Sequence, residues 1–433
     1  MEIQELHKIY LEYPVISTDT RNITENSLFF ALKGENFNGN EFAEEALKKG
    51  SAFAIVDEAS SAEDAKCILV NDVLKTLQDL ATYHLQQVAV QVIAITGTNG
   101  KTTTKELVSG VLSKKFNVQA TKENLNNHIG VPLTVLTMES STEILVIELG
   151  ANHVGEIEHL CNIAQPSFGM ITNIGKAHLE GFGSLEGVMT AKKELYEYIA
   201  GNNGMLFVNG SDEKLMNLSE GVKRVLYGSS DSGECVCKLE ELNPYVRVKW
   251  ISKDNSTDRT NLITSRILGE YNFDNIAAAI CIGDYFGVTP QDISDAIEEY
   301  LPANNRSQIL ETDSNRILLD AYNANPMNMK AALSSFQKME GENKVLILGD
   351  MLELGNYTLE EHQAIVEQIK EQDFGTIFLV GENFGAVKDF VSCTHFNTAQ
   401  QAKEYFAETP LQHSLILLKA SRAIGLESLV EAL

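Results

Sequence analysis

One stretch limits what this chain can fold into more than any other: Val92 to Glu106, VIAITGTNGKTTTKE. It opens on an apolar run of β type, Val92-Ile93-Ala94-Ile95, and breaks at Gly97. It then turns through Asn99-Gly100 and enters a helical pattern at Lys101. A glycine-rich turn between strand and helix aims several backbone N–H groups, and the positive end of the helix dipole, at one point. A polyphosphate suits that point. Lys101 would reach the β- and γ-phosphates, and the Thr102 hydroxyl would sit on Mg²⁺. The strict phosphate-loop pattern has a glycine five places before Gly100, where this chain has Ile95, so the string also fits an ordinary tight strand–helix turn.

With 433 residues the chain is long enough for roughly two to four domains, each burying its own core. A net charge of −26 argues against a general nucleic-acid binder, which would carry a basic face. It leaves anionic small substrates open, because Lys101 and a helix N-terminus act locally whatever the total charge. The six cysteines are scattered, with one C-x-C pair and no C-x-x-C, which fits neither a disulfide framework nor a zinc site. The N-terminal MEIQELHKIY lacks a basic-then-apolar signal pattern, and no apolar run approaches the ~18 residues of a membrane span. The expectation is a reduced, soluble protein of the cytoplasm.

Along the chain, residues 1–88 read as a first small α/β unit. A turn-rich Ser17 to Arg21 leads to a strand at Leu28–Leu32, a polar loop Lys33–Asn40 and a helix over Glu41–Lys49. Short strands follow at Ala54–Val56 and Ile68–Val70, then a helix over Asp72–Gln87. Asp19, Arg21 and Lys33 are candidate ligand contacts or plain surface charges. Residues 89–302 alternate strand and helix, with strands predicted at 92–96, 144–148, 168–173 and 205–209. That rhythm belongs to a doubly wound, mostly parallel sheet, whose ligands sit at the carboxyl ends of the strands. The alternation in Val246-Arg247-Val248-Lys249-Trp250 and the polar tract 253–260 mark Tyr227–Ile267 as an antiparallel insertion or edge hairpin. Pro302 and Asn304-Asn305 set a boundary. Residues 303–433 alternate again, with strands near 316–320, 345–348, 376–380 and 415–418, as in a Rossmann-like α/β unit.

Several strand ends carry chemistry. The apolar Ile144–Ile147 ends in Glu148, where a phosphate-loop enzyme holds Mg²⁺; a helix-capping Glu is the plainer alternative. His178 lies just past the next strand, and a neutral imidazole there could ligate a metal beside Lys101, Thr102 and Glu148. The helix over Leu185–Ile199 has an apolar stripe of Leu185, Val188, Met189, Leu195 and Ile199, and position 192 in that stripe is a lysine while Lys193 points away. Burial would depress the Lys192 pKa and free a neutral amine to add CO₂ as a carbamate; otherwise the stem packs and the head snorkels to water. Asn272 and Asn275 precede a small-residue helix and could be simple caps. Asp320 closes a strand and suits a ribose hydroxyl, and Tyr322 could stack on a base, though both could be turn chemistry.

Taken together, these strings resemble the Mur ligases of bacterial cell-wall synthesis over essentially the whole chain. The resemblance rests on TDTR at 18–21, GTNGKTTTKE at 97–106, NLNNHIGVPLT at 124–134 and IELGAN at 147–152. It continues with AHLEGFGSLEGV at 177–188, GEYNFDN at 269–275, DAYNANPMNM at 320–329 and LGDMLELG at 348–355. It implies ATP phosphates on Gly97, Thr98, Asn99, Gly100, Lys101, Thr102 and Thr103, with Mg²⁺ on Thr102 and Glu148. A second metal would take His178 and a carbamylated Lys192. Asn272, Asn275, Arg306, Asp320, Tyr322 and Asn325 would complete the nucleotide site, the last four from the third unit. Asp19 and Arg21, with Lys33, Gly34 and the loop to Gly39, would bind a UDP end, and Asn126, Asn127 and His128 a growing peptide. Thr20, Asn38, Asn40 and Ala420 depart from the family's usual Ser, Asp, His and Gly.

The implied activity is an ATP-dependent, ADP-forming amide ligation through an acyl phosphate, joining D-alanyl-D-alanine to a UDP-N-acetylmuramoyl-tripeptide. The implied protein is a monomer whose third unit closes over ATP, because Arg306 and Asp320 stand on a different unit from Lys101. The alternatives are a ligase adding the third residue, a folylpolyglutamate synthase, or a phosphate-loop module that hydrolyses ATP without ligation. The D-[DN]-P-[RN] string usual in the last domain of the third-residue ligases is missing here.

Overall fold

The computed structural model describes residues 1–231, 233–242, 244–252, 259–302, 305–372 and 374–433, and they form three α/β units in chain order. The polar tract 253–258 and the boundary residues 303–304 lie outside them. The first unit is a four-stranded, all-parallel sheet of Ile16–Ser17, Leu28–Phe30, Phe53–Val56 and Cys67–Leu69 in that order. The expected polar loop at Lys33–Asn40 is instead a small hairpin, Lys33–Gly34 against Phe37–Asn38, followed by a 3₁₀ turn at Gly39–Phe42 that delays the helix to Ala43–Lys48. Asp72 caps the linking helix Val73–Gln87 by accepting from the Lys75 N–H.

The central unit is a nine-stranded sheet. Its order is Arg259–Leu268, Tyr245–Ser252, Cys235–Leu242, Arg224–Gly228, Met205–Asn209, Phe168–Ile171, Gln91–Thr96, Ile144–Glu148 and Val118–Ala120. Every pair is parallel except the two that join the first three strands, so the antiparallel segment extends one edge of the same sheet. Tyr227 belongs to the parallel part, and Trp250 is fully buried within the extension. The third unit has six strands in the order Gln308–Glu311, Asn315–Asp320, Ser414–Lys419, Lys344–Gly349, Thr376–Val380 and Thr394–Phe396, all parallel but the first pair.

Helices cover both faces of the central and C-terminal sheets, as their near-continuous apolar strands require. One core cluster runs unbroken from Leu6 in the first unit to Leu215 in the central one, which welds these two together. The strand expected at 168–173 stops at Ile171. Thr172 and Asn173 leave the ladder to hold the phosphate loop: the Thr172 hydroxyl donates to the Asn99 carbonyl at 2.6 Å, and Asn173 Oδ1 accepts from the Asn99 N–H at 3.0 Å.

Candidate active site

The loop after Gln91–Thr96 has the backbone its glycines demand. Gly97 sits at φ +146° and Gly100 at φ +79°, and a Cβ there would meet Thr172 Oγ1 at 1.9 Å or Asn275 Oδ1 at 2.5 Å. The helix Lys101–Leu112 starts directly behind Gly100, so its free N–H groups face the loop. Lys101 Nζ donates back to the carbonyls of Gly97 (2.9 Å) and Thr98 (3.3 Å), and burial pushes its pKa down. The Thr102 hydroxyl donates to Glu148 Oε2 at 2.8 Å, and Asn126 Nδ2 donates to Glu148 Oε1 at 2.8 Å. Glu148 therefore does not cap a helix; it faces the loop from the neighbouring strand.

A cavity of about 390 Å³ lies between this loop and the C-terminal unit, and the residues expected there meet on it: Thr98 to Thr103, Glu148, His178, Asn272, Asn275, Arg306, Asp320 and Tyr322. Asn325 reaches the same loop, donating to Asn99 Oδ1 at 2.7 Å while capping the helix Pro326–Lys338. Asn272 and Asn275 are not simple caps. Asn272 donates to the Leu268 carbonyl, Asn275 donates to Asn272, and Asn275 accepts from the Thr104 hydroxyl in the helix behind the loop.

Two expected nucleotide contacts have partners within the protein. Asp320 Oδ2 accepts from Lys419 at 2.6 Å, because these residues sit side by side on adjacent strands. The face of Tyr322 carries the Arg306 guanidinium at 3.7 Å. Among the described residues the buried Arg306 Nε has no hydrogen-bond partner, a donor left for something in the cavity.

A second cavity of about 310 Å³ adjoins the first, sharing Thr98, Lys101, Asn126 and His178, and adds Lys192, Phe182, Asn127 and His128. Lys192 is 3% exposed and faces inward, while Lys193 pairs with Glu197 on the surface. Its ammonium lies 5.7 Å from the Phe182 ring centroid, and among the described residues no carboxylate pairs with it. Burial, and then the neighbouring Lys101 charge, bring its pKa down to about 7. The head does not snorkel to the surface. A third cavity of about 410 Å³ continues past Asn127 and His128 to Asp72, Lys75 and Gln78 on the linking helix.

Asp19, Arg21, Lys33 and Gly34 line none of these three cavities. They stand beyond the carboxyl ends of adjacent parallel strands of the first sheet. Arg21 donates to both oxygens of Asp19 and holds its pKa down to about 2, while Lys33 lies 2.8 Å from Asp57 and 3.1 Å from Glu58. Sequence reasoning passed over Thr172, Asn173, Tyr271, Ser307 and Asn328. Asn328 carried a signal, since N-P-M-N reads as a helix cap; it donates to Asn99 at 3.1 Å. The others are placed by tertiary contacts alone.

Among the described residues no cluster of three or more His, Cys, Asp or Glu could hold a metal by itself. One carboxylate beside one hydroxyl suits a hard cation that draws its remaining ligands from phosphates and water.

Three family descriptions match the chain: "Mur ligase family, catalytic domain" at 12–98, "Mur ligase middle domain" at 95–283 and "Mur ligase, glutamate ligase domain" at 305–422. The chain is 36% identical to a UDP-N-acetylmuramoyl-tripeptide–D-alanyl-D-alanine ligase of Bacillus subtilis, covering 96% of this chain and 92% of that protein. It is 32% identical to the ligase of the same name from Escherichia coli, over 99% and 95%. A crystal structure of MurF from Acinetobacter baumannii superposes with a TM-score of 0.86 at 30% identity, covering 96% and 92%. MurF from Thermotoga maritima in complex with ADP gives 0.85 at 26% identity, covering 98% and 97%.

Proposed function

The chain belongs to the Mur ligase family, and we infer from its site that it joins D-alanyl-D-alanine to UDP-N-acetylmuramoyl-tripeptide, consuming ATP. The observation that carries this reading is the row of three adjoining cavities that meets the phosphate loop at Lys101. ATP takes the first cavity. The peptide end of the UDP substrate enters the second past Asn126, Asn127 and His128, and its UDP end rests near Asp19, Arg21 and the Lys33–Gly39 turn.

The reaction runs in two displacements. The terminal carboxylate of the tripeptide attacks the γ-phosphorus, the bond to the β-phosphate breaks, and ADP leaves behind an acyl phosphate. Lys101 swings from the Gly97 and Thr98 carbonyls to the phosphates, with the loop N–H groups fixed around them. Arg306 supplies a second cation from the C-terminal side. The amine of D-alanyl-D-alanine then attacks the acyl carbon, loses its proton, and the tetrahedral intermediate collapses to amide and phosphate. The C-terminal unit, packed on the loop through Asn325 and Asn328, keeps water from the acyl phosphate.

Mg²⁺ held by Thr102 and Glu148 would neutralise the charge gathered on the β- and γ-phosphates, and a second ion would take His178 and Lys192 as its carbamate. The inward and partly neutral Lys192 amine, unpaired among the described residues, supports that modification: its nitrogen bonds the carbon of CO₂ and releases a proton. We place the reaction in the cytoplasm, with the protein as a monomer; no described helix is long and apolar enough to cross a membrane. The reading is tested by mass spectrometry of the product. A UDP species heavier by the dipeptide less one water supports it, and an unchanged tripeptide alongside ADP contradicts it.

A further inference from the structure

Between the central and C-terminal units stands a cluster of charged contacts of which the chemistry above uses only His178. It joins the loop 175–180 to the segment 350–361 that follows the strand Lys344–Gly349. Lys176 Nζ lies 2.5 Å from Glu361 Oε1, a carboxylate whose side chain is only 4% exposed. His178 Nδ1 lies 2.5 Å from Glu353 Oε2. The Glu180 N–H donates to the Glu353 carbonyl at 3.2 Å, and Tyr357 packs against the core shared by the first two units. His178 and Glu353 both have positive φ, 48° and 62°, a region that non-glycine residues enter only when their surroundings hold them there.

The two pairs do different work. Surface ion pairs contribute little, but a carboxylate as buried as Glu361 must meet a cation when the units dock. A closure that buried Glu361 away from Lys176 would leave an unpaired charge inside the protein, so the pair penalises wrong registers more than it adds adhesion. The Glu353 pair sets a ring. The Glu353 carboxylate lies against the Nδ1 edge of the imidazole, a close contact that lacks the alignment of a hydrogen bond but holds that edge of the ring. His178 lines both the nucleotide cavity and its neighbour, yet the carboxylate that lies against its Nδ1 edge belongs to the other unit. The ring is therefore oriented only when the C-terminal unit is docked.

We propose that Lys176–Glu361 and His178–Glu353 form an interdomain latch through which docking of the C-terminal unit orients His178, making Glu361 and Glu353 positioning residues for the ligation. The proposal rests on the ligase reading above and names the groups that register its closed state.

The test is a charge swap in the full chain, read by kinetics and by small-angle scattering with an ATP analogue and Mg²⁺. Lys176→Glu and Glu361→Lys should each lower kcat at least about tenfold, leave the KM for the UDP-tripeptide within about twofold, and abolish compaction with the analogue. The double swap restores the pair with its polarity reversed and should recover most of kcat and the compaction. Glu353 is exposed enough for its variants to fold. Glu353→Gln keeps a polar oxygen of the same reach beside Nδ1 and should stay within about threefold of the parent, whereas Glu353→Lys should lose about tenfold. A double swap no better than the worse single, or a Glu353→Lys variant that ligates like the parent, would overturn the latch. If the parent compacts with the analogue but ligates no dipeptide, the acceptor assignment fails instead, and scattering from the swaps still decides the latch.

Discussion

At the scale of single residues, Lys192 shows how a side chain's surroundings set its chemistry. In water it would be a solvated ammonium; held among apolar groups beside Lys101, it titrates near pH 7. Only the neutral amine adds CO₂, so carbamate formation should fall as the pH drops below about 7. With ¹³C-bicarbonate, a carbamate carbon signal should appear at pH 8, fade by pH 6 and be absent from Lys192→Met, which we expect to lose about 100-fold or more in kcat. A second titration bears on stability. His7 and His84 face each other at 3.1 Å in the packing between the first helix and the linking helix, and burial lowers the pKa of His84 to about 4 from 6.5. The unfolded chain then binds the extra proton between those values. Stability from this site is complete above pH 6.5 and declines as the pH falls toward 4. The melting temperature should drop over that window, and His84→Gln should flatten the drop relative to the parent. Lys192 was legible in sequence because a 3.6-residue stripe separates it from Lys193. The Lys419 partner of Asp320 and the Arg306 that covers Tyr322 were not, because each meets its partner only through folding.

At the scale of elements, the strand–loop–helix at 91–112 is legible from its own residues, although Thr172 and Asn173 hold its loop in place. Gly97→Ala would place a methyl on Thr172 Oγ1 in a conformation alanine avoids. ATP binding by calorimetry should be lost, while the melt of the C-terminal unit stays as it was. The helix Pro326–Lys338 is similarly readable, since Asn325, Pro326 and Asn328 spell its start. Asn325 does two jobs, so Asn325→Ala should cost about 1 kcal/mol of stability through the cap and raise the KM for ATP through the lost bond to Asn99. A KM unchanged beside a lowered melting temperature would leave only the cap. Less legible are the short edge strands Val118–Ala120, Gln308–Glu311 and Thr394–Phe396. Three or four residues carry too little periodicity, and it is their pairing with longer neighbours that makes them strands.

At the scale of the molecule, the order of the three units and the alternating α/β rhythm were readable, because each strand that supplies a site residue is a long apolar run ending in a turn. How the units meet was not. That depends on Asn99 finding Asn325 and Asn328, and on the 175–180 loop finding the segment after Lys344–Gly349, all distant in sequence. The large core running from Leu6 to Leu215 ties the first two units together, whereas the C-terminal core meets the central unit at Leu268 and Tyr245, so the C-terminal unit is the part that moves most readily as a body. Solution scattering should therefore show compaction when ATP analogue and UDP-tripeptide bind together. The central claim is that one site couples ATP to the joining of two substrates. It is tested most directly by phosphate release from ATP and Mg²⁺ with UDP-N-acetylmuramoyl-tripeptide, measured with and without D-alanyl-D-alanine. The account predicts release in step with product only when both are present, and release that ignores the dipeptide would contradict it.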